Sequence, residues 1–446
     1  MGADIKQRLQ AFGVRLGSDR AEVMRGALVA LVLRGGGALL AVGLNVAVGR
    51  LLGAEGAGLY FLALSVAMIG SVIARLGLEN TILRFVASEA TVANWSGVKG
   101  VARKSLTLAI AGSVIVGGAL AIIAEPLAGA LFDRPALAGH LQIAGLVVLG
   151  FSLMTLLAEA LKGLKDIARS MIVSGILYPL VALACLWPMV TRFGELGAIL
   201  AYAAGTLVAT AIGAAMWHSK TRQWRDVDPS FEWRRIFDSA RPLWAVTVLN
   251  RAVVPWMPLL LLGYWGSTSE TGIFGAATRV AMLVSFFLIA VNTAIAPKFA
   301  ELHRKGDIDG LARVARTFAL VVTVAAAPII AVLLFAGEWI MALFGPEFRS
   351  GGQALAILAL GQATNVVTGA VGYLLTMSGH ERDMRRAVVI AVVAMALVAV
   401  LAIPDFGMIG AAWSATVGVS MTNFLALYFV RKRLGFLVIP FPGSAR

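Results

Sequence analysis

The chain has 446 residues, of which 59% are hydrophobic and only 14% are charged, and its mean hydropathy is +0.86. An average soluble domain is roughly half apolar and about a quarter charged, so a water-soluble fold of this length could not bury so much apolar surface. The composition therefore predicts an all-α integral membrane protein. The formal net charge of +14 would indicate nucleic acid binding in a soluble protein. In a membrane protein it indicates basic cytoplasmic loops, and we expect no nucleic acid partner.

Residues that carry metal or redox chemistry are scarce. Cys185 is the single cysteine and lies in an apolar run, which excludes an intrachain disulfide. The four histidines are far apart in the sequence, at helix ends or in loops, and do not form a zinc-type cluster. We therefore expect no metal, no cofactor and no catalytic residue.

Apolar runs of about 20 residues, the length that crosses a bilayer, recur along the chain. Twelve are found, at residues 27–49, 59–74, 105–124, 139–161, 170–190, 196–217, 242–263, 272–296, 315–336, 352–377, 385–403 and 407–430. The second run is short. We expect it to continue as an amphipathic helix through Arg75, Glu79 and Arg84 to about Ala87.

The distribution of Lys and Arg gives the orientation of these spans. With the N-terminus inside, the cytoplasmic segments contain 31 of the 38 basic residues, and the outer loops contain only Arg50, Arg134, Arg192 and Arg349. Cytoplasmic loops carry an excess of basic residues, so this asymmetry predicts twelve transmembrane helices with both termini in the cytoplasm.

Two cytoplasmic segments have apolar residues at helical spacing. Residues 1–26 are predicted to be a cytoplasmic amphipathic N-terminus, and residues 218–241 an interfacial linker helix that begins near Asp228 and Pro229. An ordinary solvated connector is the alternative for both segments. This division leaves an N-terminal six-helix bundle at 27–217, a C-terminal six-helix bundle at 242–430 and a cytoplasmic tail at 431–446.

The two halves contain similar short segments at a nearly constant offset of 212–216 residues. Gly58-Leu59-Tyr60 corresponds to Gly272-Ile273-Phe274, and Phe193-Gly194-Glu195-Leu196-Gly197-Ala198 corresponds to Phe406-Gly407-Met408-Ile409-Gly410-Ala411. Six spans per half insert with the same orientation, which predicts two bundles related by a parallel repeat. Transporters with this architecture bind substrate between the halves.

Three arginines lie within predicted spans, at Arg34, Arg251 and Arg279. Ionisable residues there usually face a cavity, because a charge in lipid costs about 2.5–3.5 kcal/mol on insertion scales. No Asp or Glu lies at comparable depth, so the pattern predicts a cavity for an anionic substrate. Asn45 and Asn250 are added as polar candidates. The alternatives are snorkelling arginines, interhelical hydrogen bonds of the asparagines, and a local Arg75–Glu79 ion pair.

Helical spacing groups some of these residues on shared faces. Arg34, Ala38, Ala41 and Asn45 share one face of the first span, and Gly35-Gly36-Gly37 would allow another helix to approach it. Pro255 and Pro258 follow Arg251 and must perturb the seventh span.

Two stretches carry a resemblance to a known family: Arg50 to Tyr60 with Leu76 to Arg84, and Leu262 to Tyr264 with Gly272 to Arg279. They resemble the bacterial Wzx-type flippases of O-antigen and capsule lipid-linked oligosaccharides, members of the multidrug/oligosaccharidyl-lipid/polysaccharide exporter superfamily. The resemblance implies a two-bundle, non-enzymatic transporter of the bacterial cytoplasmic (inner) membrane. It would translocate a polyprenyl-diphosphate-linked oligosaccharide by alternating access, for lipopolysaccharide or other surface polysaccharide biosynthesis.

The resemblance also implies partners, namely the lipid-linked oligosaccharide, membrane lipids, a polysaccharide polymerase and glycosyltransferases. Each chain would contain a complete cavity, which predicts a functional monomer. The alternative function is a cation-coupled multidrug or metabolite antiporter of the same superfamily. The lack of a deep carboxylate argues against it.

Overall fold

The computed structural model describes the backbone of residues 2–438. Side chains are described over this range except at residues 2–32 and at positions 242, 243, 245, 246, 286, 287, 289–294, 296 and 297. Every regular element within the described backbone is a helix. The predicted amphipathic face of residues 1–26 falls on side chains outside the described part.

The first half of the chain contains six long helices: α1 Gly2–Ala74, α2 Leu78–Thr91, α3 Trp95–Ile122, α4 Leu137–Gly163, α5 Ile167–Phe193 and α6 Leu196–Thr221. Short helical turns at Ala124–Pro126 and Leu127–Leu131 connect α3 to α4. A π-helical segment, Ile172–Leu177, widens α5.

The second half contains α7 Trp233–Val248, α8 Val254–Trp265, α9 Thr268–Arg304, α10 Ile308–Phe335, α11 Gly352–Val367, α12 Val371–Met377 and α13 Glu381–Leu434. The π-helical segment Leu249–Val253 joins α7 to α8 directly before Pro255. The proline ring has no N–H for the carbonyl one turn earlier, which accounts for the irregular backbone at this point.

Among the described residues, seven helices are long and apolar enough to cross a membrane, or eight if α11 and α12, bent by 42°, count as one span. Two of them consist of two helices merged across a kink, α1 at Gly53 with φ 68° and α13 at Gly407 with φ 51°. A straight helix of 54 residues would be about 81 Å long, well over twice the ~30 Å hydrocarbon core. The chain is therefore a multi-pass membrane protein.

Two sequence expectations about helix boundaries are wrong. The second span does not continue through Arg75 to Ala87, because Leu76 and Gly77 have φ of 50° and 76° and α2 starts afresh at Leu78. The tenth span is also interrupted, at Gly369, where φ is 65°. Left-handed backbone cannot continue a right-handed helix, and glycine adopts it without a steric penalty.

The linker between the halves is fixed to the first half. Its helix begins at Trp233, so the predicted start near Asp228 is wrong. The Lys99 ammonium donates hydrogen bonds of 2.6–3.1 Å to the carbonyls of Trp224, Arg225 and Val227. The predicted apolar face is divided, since Ile236 and Ala240 are buried in a cluster with α2 and α3 whereas Trp233 and Phe237 are exposed.

Several contacts recur in both halves at offsets of 213 or 217 residues, close to those found in the sequence. Asn94 caps α3 by accepting from the Gly97 amide, and Asp307 caps α10 by accepting from the Gly310 amide. Asp166 pairs with Arg169 and Lys220 at the ends of α5 and α6. Equivalent ion pairs join Asp383 to Arg386 and Arg433 at the two ends of α13.

The two halves cross closely at the end of the bundle that contains Gly53. Gly58 lies against the Thr268 carbonyl, and Gly272 lies against the Ala54 carbonyl, so neither position has room for a Cβ. These contacts are related by the 214-residue offset. Beside them, Arg134 donates to the Gly266 carbonyl, and the Ala54 amide donates to Glu347 at 2.9 Å. Together these contacts join the two halves at the Gly53 end.

Candidate functional site

A cavity of about 290 Å³ lies between α1, α4 and α5. The charged side chains on its wall are Arg34, Glu159 and Lys162, and the last two form a 3.2 Å ion pair. Gly37 allows α1 to approach α5, because a Cβ there would lie 2.6 Å from the Gly175 carbonyl oxygen. Of the three consecutive glycines after Arg34, this is the one that a neighbouring helix requires.

A second cavity of about 180 Å³ continues along α1. It shares Ala38, Ala41 and Tyr178 with the first cavity, so we treat the two as one central groove. The rest of its wall comes from both halves of the chain: Val42, Leu44, Asn45, Leu64, Met68, Phe151, Tyr202, Trp256, Arg279 and Met282. The face predicted from Arg34, Ala38, Ala41 and Asn45 therefore lines this groove.

Arg279 is the cation that lines the second cavity of the groove. Its guanidinium carbon lies 4.5 Å from the ring centroid of Trp256 and 5.7 Å from that of Phe61. The Nη1 atom is 3.9 Å from the Met282 sulfur, and the buried Nη2 atom has no hydrogen-bond partner in the described part of the chain. Within that part, Arg279 forms no ion pair either. A buried donor without a partner is uncommon and indicates a place for an acceptor.

Three tyrosines surround Arg279. The rings of Tyr178 and Tyr202 are 5.6 Å apart, and Tyr60 lies 6.4 Å from Tyr202. They come from α1, α5 and α6, whereas Arg279 comes from α9. Neither these tyrosines nor Trp256 could be identified from the sequence, because an aromatic residue in an apolar run is ordinary and gives no sign of the helices it will meet.

The asparagines differ in position. Asn45 is buried, lines the second cavity and donates from Nδ2 to the Ala41 carbonyl at 2.6 Å. Its side-chain oxygen is an acceptor on the groove wall. Asn250 is exposed and lies in the π-helical segment between α7 and α8. It is not among the residues that line the central groove.

Arg251 lies outside the linings of both cavities and has a carboxylate partner. Its Nη1 atom donates to Oε2 of Glu79 at 3.0 Å, and the same oxygen lies 3.5 Å from Nε of Arg75. The Glu79 and Arg75 side chains are 2% and 3% exposed, against 54% for Arg251. The expected Arg75–Glu79 ion pair is confirmed. The expectation that no carboxylate lies at the depth of Arg251 is wrong.

The groove thus unites two of the three predicted arginines. Arg34 lines its first cavity and Arg279 lines its second. Arg251 lines neither cavity and instead binds the carboxylate of Glu79. The groove has cations in both cavities, aromatic rings in the second cavity, and hydroxyl and amide groups along its wall. Such a groove suits an anionic, partly polar ligand.

Sequence comparisons find similarity to a polysaccharide biosynthesis protein family and to two probable flippases. The sequence model of the family described as "Polysaccharide biosynthesis protein" matches residues 23–303, and the MatE model matches residues 245–404. The chain is 26% identical over 188 residues to the probable flippase AglR of Haloferax volcanii, covering 41% of this chain and 39% of the relative. It is 24% identical over 244 residues to the probable low-salt glycan biosynthesis flippase Agl15 of that organism, covering 54% and 50%. The chain thus spans half or less of the length of these curated relatives.

Solved structures show the same fold over nearly the whole chain. An inward-facing multidrug resistance MATE family transporter of the MOP superfamily superposes with a TM-score of 0.72 at 17% identity, covering 92% of this chain and 98% of that chain. The lipid II flippase MurJ in an inward closed conformation gives a TM-score of 0.69 at 12% identity, covering 91% and 87%.

The family and these relatives point to a transporter or flippase rather than an enzyme. The family match covers more than half of the chain, and the structural matches cover more than nine-tenths of it. The chain therefore belongs to the polysaccharide biosynthesis protein family and has the fold of the MOP-superfamily transporters.

Proposed function

We propose that this protein is a flippase that moves a polyprenyl-diphosphate-linked oligosaccharide across the cytoplasmic membrane by alternating access. The observation that carries the proposal is the guanidinium of Arg279, which lines the second cavity of the groove. Its buried Nη2 atom lacks an acceptor among the described residues. An arginine fork matches a phosphate oxygen pair in geometry and charge, and an anion there would satisfy the donor.

Arg34 extends this argument along the groove. It lies in the cavity adjoining that of Arg279, and Lys162 stands on the same wall. Two phosphates, or a phosphate and a sugar acid, could then be held in succession. The prenyl tail would remain in lipid, since it is already in an apolar environment there and would gain no hydrophobic free energy by entering the groove.

The contacts between halves support an inward-facing state. The Gly53 end is closed by the crossing of Gly58 and Gly272 and by hydrogen bonds that involve Arg134 and Glu347. In the topology proposed from the Lys and Arg distribution, twelve spans with cytoplasmic termini, this end faces outward. Loosening it while the opposite end closes would expose the groove to the outside.

The remaining proposals follow from the sequence and the family. We place the protein in the bacterial cytoplasmic membrane as a functional monomer that works beside a polysaccharide polymerase and glycosyltransferases. O-antigen or another surface polysaccharide repeat unit is the proposed cargo. Both curated relatives belong to an archaeon, so the proposed cargo class rests on the cations of the groove rather than on these relatives.

The direct test replaces Arg279 by Gln in a strain that lacks its own flippase. We expect the variant to lose at least about tenfold in surface polysaccharide per membrane-inserted molecule, because a neutral amide cannot replace the charged fork. Arg192→Gln is the matched control, since Arg192 is exposed and lies far along the sequence from the groove residues of α9. Equal specific activity of both variants would refute the assignment of Arg279.

The topology has its own test. In a Cys185→Ala background, cysteines replace Ser350 and Asp309, two exposed residues that lie outside the predicted spans and on opposite predicted sides. An impermeant thiol reagent should label position 350 in intact cells and position 309 only after lysis. The opposite labelling would overturn the proposed orientation.

The second candidate function is a cation-coupled multidrug or metabolite antiporter, which the MatE match over residues 245–404 favours. Such coupling needs a carboxylate that binds a cation on the transport path, and Glu159 is the acidic residue on the groove wall. We expect Glu159→Gln to keep most transport activity. Complete loss with normal membrane abundance would favour the antiporter.

A further inference from the structure

The cluster formed by Arg75, Glu79 and Arg251 joins the two halves of the chain. Glu79 lies in α2 of the first half, and Arg251 lies in the π-helical segment at the start of the second half, 172 residues away. Arg75 lies between α1 and α2 and reaches the same carboxylate oxygen. One carboxylate thus faces two guanidinium groups, and the cluster has a net charge of +1.

The two arginines are not equivalent. Arg75 is buried, and its guanidinium is 5.7 Å from the ring of Phe151, which lines the central groove. It also reaches the Ser71 hydroxyl at 3.4 Å. Arg251 uses Nη1 for Glu79 and is 54% exposed. Arg75 is thus a buried counter-ion of Glu79 at 3.5 Å, whereas Arg251 donates the hydrogen bond and keeps more than half of its side chain exposed.

We infer that Glu79 is a positioning residue that competes for Arg251 with the anionic cargo as it enters or leaves the groove, because Arg251 is 54% exposed but does not line the groove itself. When a phosphate draws Arg251 away, Glu79 loses its hydrogen bond from Arg251 but keeps Arg75 as a counter-ion at 3.5 Å, so the buried carboxylate still has an opposite charge beside it. When the cargo leaves, Arg251 pairs with Glu79 again, which restores the contact between the halves. Because the Glu79 carboxylate can replace the phosphate as the acceptor of Arg251, the affinity for the cargo stays moderate and the cargo can be released. This inference rests on the proposed function, because it needs an anionic cargo.

The test measures the affinity of the purified protein for farnesyl diphosphate, a short prenyl diphosphate, together with transport in the flippase-deficient strain. Glu79→Gln removes the competing charge and should tighten binding about fivefold, the scale of a half-exposed ion pair. Transport should fall by a similar factor, because slower release then limits turnover. Glu79→Asp restores a carboxylate and should return both values most of the way to those of the unmodified protein.

A second variant distinguishes a change in affinity from the effect of misfolding. Glu79→Gln leaves the buried Arg75 without its carboxylate, which is destabilising. The double variant Arg75→Gln with Glu79→Gln removes both buried charges and should show the same tighter binding. Glu89→Gln is the matched control, because Glu89 is another buried carboxylate of α2 that pairs with an arginine of α7, Arg235, at 3.5 Å. It should leave the affinity unchanged even if the protein melts earlier.

The outcomes separate this inference from the proposed function. If the unmodified protein binds farnesyl diphosphate and Arg279→Gln does not, while both Glu79 variants bind within twofold of the unmodified protein, the competition is refuted and the proposed function stands. If the unmodified protein binds no farnesyl diphosphate, the proposed cargo class fails and the inference fails with it.

Discussion

The guanidinium of Arg279 lies over the indole ring of Trp256, with its central carbon 4.5 Å from the ring centroid. The two residues come from consecutive helices, α9 and α8, that both contribute to the second cavity. A cation over an indole face is stabilised by about 0.5–2 kcal/mol, depending on its desolvation, and the ring also fixes the plane of the fork. Trp256 thus orients Arg279 without neutralising it.

This contact predicts a graded response. Trp256→Phe should keep most transport activity, and Trp256→Leu should lower it about fivefold, because leucine has no π face to hold the cation. Arg279→Lys should fall between the unmodified protein and Arg279→Gln, since it keeps the charge but not the fork. The measurement is surface polysaccharide normalised to membrane abundance. Trp339→Leu is the control, as Trp339 is 80% exposed; equal losses in both tryptophan variants would contradict the orienting role.

The crossing of Gly58 with Thr268 predicts a shift in conformation. Gly58→Leu leaves no room for the present contact and should separate the halves at the Gly53 end, at a cost of about 1–3 kcal/mol. A cysteine replacing Ala41 on the groove wall, in a Cys185→Ala background, should then react with an impermeant thiol reagent from outside. Gly118→Leu, where nothing lies within 4 Å of the added Cβ, should leave position 41 protected. Labelling that is unchanged by Gly58→Leu would show that these contacts do not close the groove.

Substitutions of Arg251 should lower transport activity in an order set by the charge of the new side chain. Arg251→Lys should keep partial activity, Arg251→Gln should lose most of it and Arg251→Glu should abolish it, because the last places two carboxylates together. Membrane abundance should stay near normal, since Arg251 is more than half exposed and Glu79 keeps Arg75 as a partner. Normal specific activity of Arg251→Gln, measured as complementation per inserted molecule, would remove Arg251 from the cargo path.

The repeated ion pairs at the ends of the two halves differ in strength. Arg433 donates to the buried Asp383 at 2.6 Å, whereas Arg169 and Lys220 lie 3.6 Å from the more exposed Asp166. Asp383→Asn should therefore lower the free energy of unfolding by about 1–3 kcal/mol, the scale of a charged hydrogen bond with one buried partner. Asp166→Asn should cost under about 1 kcal/mol. Denaturation midpoints in one detergent compare the two, and equal shifts would contradict this explanation.

Much of the fold follows from the sequence. Apolar runs of bilayer length identify a multi-pass helical membrane protein, because each stretch must satisfy its own backbone hydrogen bonds in lipid. The segments that recur at an offset near 213 also mark contacts that recur in the structure, such as the caps at Asn94 and Asp307. Helical spacing likewise placed Arg34, Ala38, Ala41 and Asn45 on the face that lines the groove.

The partners of the intramembrane charges were decided only by the tertiary structure. Local spacing found the Arg75–Glu79 pair, but it could not bring Arg251 to Glu79 across 172 residues. Nor could it bring Tyr60, Tyr178 and Tyr202 from three helices to Arg279, whose Nη2 atom has no hydrogen-bond partner among the described residues. Hydropathy and helical periodicity are properties of neighbouring residues, so the sequence sets which charges enter the membrane. Whether such a charge meets a counter-ion or an open groove depends on distances between remote segments, which exist only once the helices have packed.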